Sequence, residues 1–234
     1  MQRGNESCVG CKSRTNRFFC NLSASALHAF EALGVTTNYP VRSLLFTEGQ
    51  PSRGIFVLCH GRVKLFTCSQ DGKAVILRIA GPGEVLGLSA SVSGKPYSLT
   101  AESIEPCQVK FVKQEDFRSL LRQHNDACLR AIQQLSDKYN SACREIRALG
   151  LSHSAAEKLG RLLVEYSSRN GQADNQQPRL KLGFTHEEIS EMIGTSRETV
   201  TRLLAQLKKR RIVEVKGATL LICNRAALEA LAAE

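Results

Sequence analysis

The sequence predicts an α+β fold in three parts: a β-rich N-terminal half, a long connecting helix, and a C-terminal pair of short helices followed by a β-hairpin. Three observations carry this. Between residues 43 and 112, short apolar runs alternate with turn signals at roughly ten-residue spacing. From residue 128 to 149, apolar residues recur at alternating steps of four and three. In THEEISEMIGTSRETVTRLL, residues 185–204, two helix-capping signatures stand ten residues apart around a glycine.

In chain order, Ser23 is placed to cap a short helix running to Leu33. The runs LLF, GIFVLC, RVKLF, AVILRI and CQVKFV follow, punctuated at Gly49, Gly61, Asp71-Gly72 and Gly81-Pro82-Gly83, and this even spacing of short strands predicts a sandwich or barrel. The chain turns helical at about Gln114. Asn125 is the expected N-cap of a long helix in which Cys128, Ile132, Leu135, Tyr139, Ala142, Ile146 and Leu149 form a three-heptad seam. About 24 residues at 1.5 Å each make a rod of roughly 36 Å. The alternative for such a stripe is burial against its own domain, but dimerisation is the reading adopted, because a symmetric pair would present two copies of the C-terminal module. The expected domains are therefore an arm (1–22), a β-roll (23–113), a linker and dimerisation helix (114–150) and a C-terminal module (151–234).

Within that module, Thr185 precedes Glu188 by three residues, and Thr195 stands in the same relation to Glu198, so both pairs can form capping boxes. Gly194 permits the reversal between them. Ile189, Ile193, Val200, Leu203 and Leu204 fall at helical spacing as a shared apolar seam, which leaves Arg197, Glu198, Thr201 and Arg202 facing outward. Lys208, Lys209, Arg210 and Arg211 end the second helix, and IVEV, KGA and TLLI then read as strand, turn and strand, a wing. A winged helix-turn-helix reads DNA with the first turns of its second helix. Arginine can grip guanine O6 and N7, and a carboxylate can accept from cytosine N4. Glu198 would repel phosphates, so at DNA it belongs on a base edge. Its alternative role is an exposed i,i+4 pair with Arg202, worth only a few tenths of a kcal/mol. Thr185 and Ser196, at the helix starts, complete the candidate DNA-contacting set.

Composition is consistent with this reading. The 234 residues suit two small domains, and the formal net charge of +10 favours an anionic partner, whether nucleic acid or membrane surface. No apolar run approaches bilayer length and no secretory h-region opens the chain, so a soluble, cytoplasmic protein is expected. Nine scattered cysteines argue against a secreted disulfide framework. The histidines, His28, His60, His124, His153 and His186, are dispersed with no nucleophile pairing, so no enzyme is expected. Cys8, Cys11 and Cys20 form C-x2-C-x8-C in a polar, basic segment, a spacing suited to a soft metal centre, either iron-sulfur or zinc. Three ligands are one short of a closed site, and spacing alone leaves Cys59, Cys68, Cys107, Cys128, Cys143 and Cys223 open as the fourth.

The order of parts, with GPGEVLG in the β-rich half and TSRETVTRLL near the end, resembles the Crp/Fnr superfamily of bacterial transcription regulators over essentially the whole chain. The resemblance implies a cyclic-nucleotide-binding-like β-roll (jelly roll) and a DNA-binding homodimer that engages RNA polymerase where it activates, with no membrane partner. Arg197, Glu198 and Arg202 match the base-reading positions of the cyclic-AMP receptor branch, which implies palindromes with TGTGA-like half-sites. Nucleotide-binding members carry a ribose-holding glutamate and a phosphate-holding Arg-Ser pair. This chain has Leu88 after Gly87 and Tyr97-Ser98 at those places, with only Lys95 nearby, so no cyclic nucleotide is expected. In the Fnr branch an N-terminal cysteine triplet is completed by a cysteine near the last strands of the roll. Cys107 occupies that place, so the resemblance implies a [4Fe-4S] cluster on Cys8, Cys11, Cys20 and Cys107, sensitive to oxygen, nitric oxide or redox state. Its loss would release the arm and weaken the seam. The wider gap between the second and third cysteines leaves zinc or a thiol-disulfide switch as alternatives.

Overall fold

The computed structural model describes residues 8–11, 19–69, 71–151, 154–170, 179–180, 184–216 and 219–233. Ser23 starts helix α1 (Ala24–Leu33) as expected, its hydroxyl accepting from the Ala26 amide at 3.3 Å. The roll follows as β1 (Gly34–Tyr39), β2 (Leu44–Phe46), β3 (Gly54–His60), β4 (Val63–Cys68), β5 (Ala74–Ala80), β6 (Val85–Leu86), helix α2 (Leu88–Ser93), β7 (Thr100–Ser103) and β8 (Cys107–Lys113). These strands build two antiparallel sheets, in the orders β1-β8-β3-β6 and β2-β7-β4-β5.

Strand alternation divides the side chains of the first sheet between two cores. Phe56, Leu58, Cys107 and Val109 face inward with Phe46, Val63, Leu65 and Ala101. Ile55, Val57 and Val112 face outward, where α1 and α3 (Gln114–Gln123) bring Leu27, Phe30, Phe117 and Leu120. The continuous apolar run of β3 is thereby explained, since both of its faces are covered. Phe19 lies in the outer core, edge-on to Phe30 at 5.6 Å between ring centroids and tilted against Phe117 at 6.0 Å. A buried phenylalanine of this kind contributes about 1.5–3 kcal/mol. Phe19 is therefore a packing residue, and Phe18 lies outside the described residues.

Helix α4 (Asn125–Leu151) begins one residue after α3, so Asn125, the expected N-cap, is its first helical residue and His124 stands at the cap position. Ala127 and Ala131 are buried against the outer core. Gln134, 4% exposed, makes an amide pair with the backbone of Val85, accepting from its N–H at 2.9 Å and donating to its carbonyl at 2.8 Å. The Lys138 ammonium donates to the same carbonyl at 2.9 Å. Burial drives the Lys138 pKa down to about 7, Arg78 adding to the shift and Glu84 opposing it.

The expected seam is partly re-registered. Ile132, Tyr139 and Ile146 are exposed at 55%, 70% and 68%, and Leu129 joins them at 59%. Ala142 is exposed and Cys128 half-buried. Leu135, expected in the seam, instead packs against the outer core of its own unit. The side chain of Leu149 lies outside the described residues. By packing, the chain forms two compact units, Met1–Ala142 and Cys143–Glu234.

The second unit contains α5 (Ala155–Asn170), β9 (Arg179–Leu180), α6 (His186–Ile193), α7 (Arg197–Lys209), β10 (Val213–Lys216), β11 (Thr219–Ile222) and α8 (Arg225–Ala233). Its core joins Leu159 and Leu163 to Ile189, Ile193, Val200 and Leu204, with Leu203 packed at its margin. The expected wing is present as β10 paired to β11, extended by β9 on the far side. Among the described residues, no helix is long and apolar enough to cross a membrane.

Candidate nucleic-acid interface and sensory arm

Helix α6 starts with the predicted capping box. Thr185 Oγ1 accepts from the Glu188 amide at 3.2 Å, and Glu188 Oε2 accepts from the Thr185 amide at 2.8 Å. Gly194 closes the helix at φ 66°, in the left-handed region that favours glycine. The Thr195 amide then donates back to the Ser190 carbonyl at 3.0 Å. That bond ties Thr195 to the end of α6, so the second capping box expected from Thr195 does not form. Ser196 is the N-cap of α7, accepting from the Thr199 amide at 3.3 Å.

This one-residue shift frees Glu198 from the reciprocal bond of a capping box. Hydrogen bonds from its own amide and from the Ser196 hydroxyl, with Arg197 beside it, hold its carboxyl below the ordinary value. The group is an ionised acceptor at neutral pH. Arg197, Glu198, Thr201 and Arg202 are all exposed, as are Thr185 and Ser196, so the whole predicted set is solvent-facing within the two helices. Lys208, Lys209, Arg210 and Arg211 are exposed at the C-terminal end of α7, where positive charge also complements the helix dipole. One residue escaped the sequence reading. His186 Nδ1 lies 2.8 Å from Thr201 Oγ1 and bridges the two helices.

In the roll, Leu88 and Tyr97 are packed into the interior. Leu88 is only 2% exposed and Tyr97 3%, while Lys95 is exposed. The Tyr97 ring stacks on Phe46 at 4.2 Å between centroids, and its hydroxyl donates to the Gly54 carbonyl at 2.8 Å. The same hydroxyl accepts from the amides of Arg53 at 3.1 Å and Gly54 at 3.3 Å. Gly87, at φ 73°, leaves room for that ring, because a Cβ there would stand 2.8 Å from it. Phe56 and Phe111 continue the aromatic cluster.

Cys8 and Cys20 lie on one side of the first sheet and Cys107 on the other. Cys8 sits on the α1 side of the first sheet, its amide donating to Glu31 Oε1 at 3.1 Å. Burial pushes its thiol pKa up, Lys110 opposing and Glu31 and Cys11 adding to the shift. Cys20 packs on the same outer core. Cys107 faces the other way, into the core between the sheets. Its thiol donates to the carbonyls of Arg62 at 3.2 Å and Glu105 at 3.1 Å, and burial raises its pKa. Among the described residues, no group of three or more His, Cys, Asp or Glu is arranged to hold a metal ion. As placed, the set Cys8, Cys11, Cys20 and Cys107 does not fit a single cluster, because the register of β8 turns Cys107 away from the face that carries Cys8.

A two-sheet roll, a long helix and a winged helix-turn-helix with an exposed, capped second helix define a DNA-binding regulator with an N-terminal sensor-type domain. The sequence matches the Cyclic nucleotide-binding domain family over residues 36–124 and the Crp-like helix-turn-helix domain family over residues 157–231. It is 25% identical to the nitrogen fixation regulation protein FixK of Bradyrhizobium diazoefficiens, over 97% of this chain and 94% of that one. It is 24% identical to the cAMP-activated global transcriptional regulator CRP of Pasteurella multocida, over 79% of this chain and 88% of that one. The structure of FixK2 from Bradyrhizobium japonicum superimposes with a TM-score of 0.76 at 24% identity, covering 85% of this chain and 96% of its own. The chain thus joins a cyclic nucleotide-binding-type domain to a Crp-like, DNA-binding helix-turn-helix, the make-up of a Crp/Fnr-type transcription regulator.

Proposed function

We propose that the protein acts as a homodimer that reads an inverted repeat with TGTGA-like half-sites. The observation that carries this reading is the exposed, ionised Glu198 between Arg197 and Arg202 on the first two turns of α7. Glu198 accepts from cytosine N4, and the arginines take guanine or adjacent phosphate. Thr185 and Ser196 lie at helix starts, where backbone amides suit phosphate oxygens. The exposed Leu129, Ile132, Tyr139 and Ile146 of α4 supply the dimer seam. RNA polymerase is the further partner where the protein activates.

The input is assigned to the arm thiols Cys8, Cys11 and Cys20. The roll is not proposed to take a cyclic nucleotide, since Tyr97 and Leu88 fill the positions where charge would be needed. A buried phosphate without a cationic partner is strongly disfavoured. A [4Fe-4S] cluster on these cysteines requires a fourth ligand other than Cys107 as it is oriented here.

Two measurements test the proposal. Selection from a random DNA library should enrich an inverted TGTGA-like repeat bound by a dimer, with affinity falling steeply as salt rises; no enrichment would overturn the DNA reading. Anaerobic purification with iron, sulfide and zinc analysis, repeated after exposure to air, tests the input. Iron with equimolar sulfide and a visible spectrum bleached by air supports a cluster. Zinc alone, or no metal, restricts the arm to a structural or thiol-disulfide role.

A further inference from the structure

The bridge between α6 and α7 has a defined polarity. Thr201 Oγ1 lies 2.9 Å from the Arg197 carbonyl oxygen and 2.8 Å from His186 Nδ1. A carbonyl only accepts, so the single hydrogen of the Thr201 hydroxyl goes to Arg197. The other contact must then be filled by a donor, which places a hydrogen on His186 Nδ1. Reversing the assignment would set two acceptor oxygens 2.9 Å apart with no hydrogen between them. Bonding of a threonine hydroxyl back to the carbonyl four residues earlier is common in helices and by itself leaves the side chain able to switch rotamer. His186 adds a second anchor from another helix.

The consequence bears on the groove-facing surface. Thr201 is exposed, one turn beyond Arg197 and next to Arg202. Its hydroxyl can no longer donate to thymine O4 or to guanine O6 and N7. Its γ-methyl is the free end of the side chain. In the major groove only thymine presents a methyl group, and apolar contact is the way that group is read. We propose that His186 is a positioning residue that fixes Thr201 so that its γ-methyl, and not its hydroxyl, reads a thymine in each half-site. This rests on the assignment of α7 as the reading helix.

The test uses the full-length protein and the operator recovered by selection, with each thymine replaced in turn by deoxyuridine, which removes only the C5 methyl. Wild-type protein should lose about threefold to fivefold in affinity at one position per half-site, the scale of one buried methyl group. Thr201→Ser keeps the hydroxyl and lacks the methyl, so it should be indifferent to that replacement. His186→Ala should shrink the penalty while leaving the penalty for mispairing at the Glu198 base pair unchanged. Specific binding with no deoxyuridine-sensitive position overturns the inference alone, as does Thr201→Ser with an undiminished penalty or His186→Ala with an unchanged one. A wild-type protein without sequence-specific binding overturns the reading of α7 and this inference with it.

Discussion

The C-terminal reader and the N-terminal roll carry their candidate chemistry in opposite ways. On α7, Arg197, Glu198, Thr201 and Arg202 stand on the solvent face of one capped helix, and their neighbours in sequence are their neighbours in space. In the roll, the candidate groups come from the arm, α1, β3 and β8, and sheet register decides which of them meet. Cys107 and Lys110 are three residues apart on β8, yet one faces the core between the sheets and the other faces α1, where its ammonium donates to the Glu31 carbonyl at 2.8 Å. A helix-borne site is set locally, while a sheet-borne site depends on strand register and on which face each strand buries.

The largest effect that would sharpen this contrast lies in the roll. If Tyr97 fills the space at Gly87, Tyr97→Ala should destabilise the protein by about 3–5 kcal/mol in urea unfolding. Tyr97→Phe, which strips three hydrogen bonds from the Arg53–Gly54 backbone but keeps the ring, should cost about 1–3 kcal/mol. A near-neutral alanine variant would mean that the aromatic cluster is not a packed core.

The two faces of α4 should separate next. Ile132→Lys should weaken dimerisation by about 1.5–3 kcal/mol per copy, read by analytical ultracentrifugation, with little change in monomer stability. Leu135→Ala should do the reverse, lowering stability with little effect on dimerisation. Equal effects of both on dimerisation would restore the register expected from sequence.

Lys138 predicts a pH dependence confined to the roll side. Its folded pKa of about 7 lies below the unfolded value of 10.5, so the unfolded chain binds more protons between those values and stability rises with pH across that window. Above pH 10.5 the contribution is fully favourable, and it is lost as pH falls through 7. Lys138→Met, which leaves the Gln134 pair on Val85 intact, should show a smaller rise in urea midpoint between pH 7 and 9 than wild type. An identical rise would remove Lys138 as its source. The smallest effects belong to the caps. Thr185→Ala and Ser196→Ala should each cost about 1 kcal/mol, and Thr195→Ala should cost less than Ser196→Ala.

Much of the fold was legible because its signals were strong and local. The run in β3 is apolar on both faces, α1 opens on Ser23, and the wing carries two β-prone runs around a turn. Strands β1 and β7 were not foreseen, since GVTTNY and TAES carry mostly polar residues, and β6 is only two residues long. The cap of α7 was misplaced by one residue because Thr195 and Ser196 are equally good caps in sequence; the backbone bond from Thr195 to Ser190 decides between them. The Leu135 register failed because the alternating seam ignores the roll, which claims one edge of the helix. His186 and Thr201, fifteen residues apart, meet only through the angle between two helices.

Whether the exposed face of α7 reads bases, with Glu198 as a base-specific acceptor, is open to direct measurement. Parallel binding selections with wild-type protein and Glu198→Ala test it most directly. Wild type should enrich an inverted repeat with TGTGA-like half-sites, and the variant should lose about 1–3 kcal/mol of discrimination at one base pair per half-site while keeping the preference elsewhere. The same motif with undiminished discrimination from both proteins would remove Glu198 as a base reader.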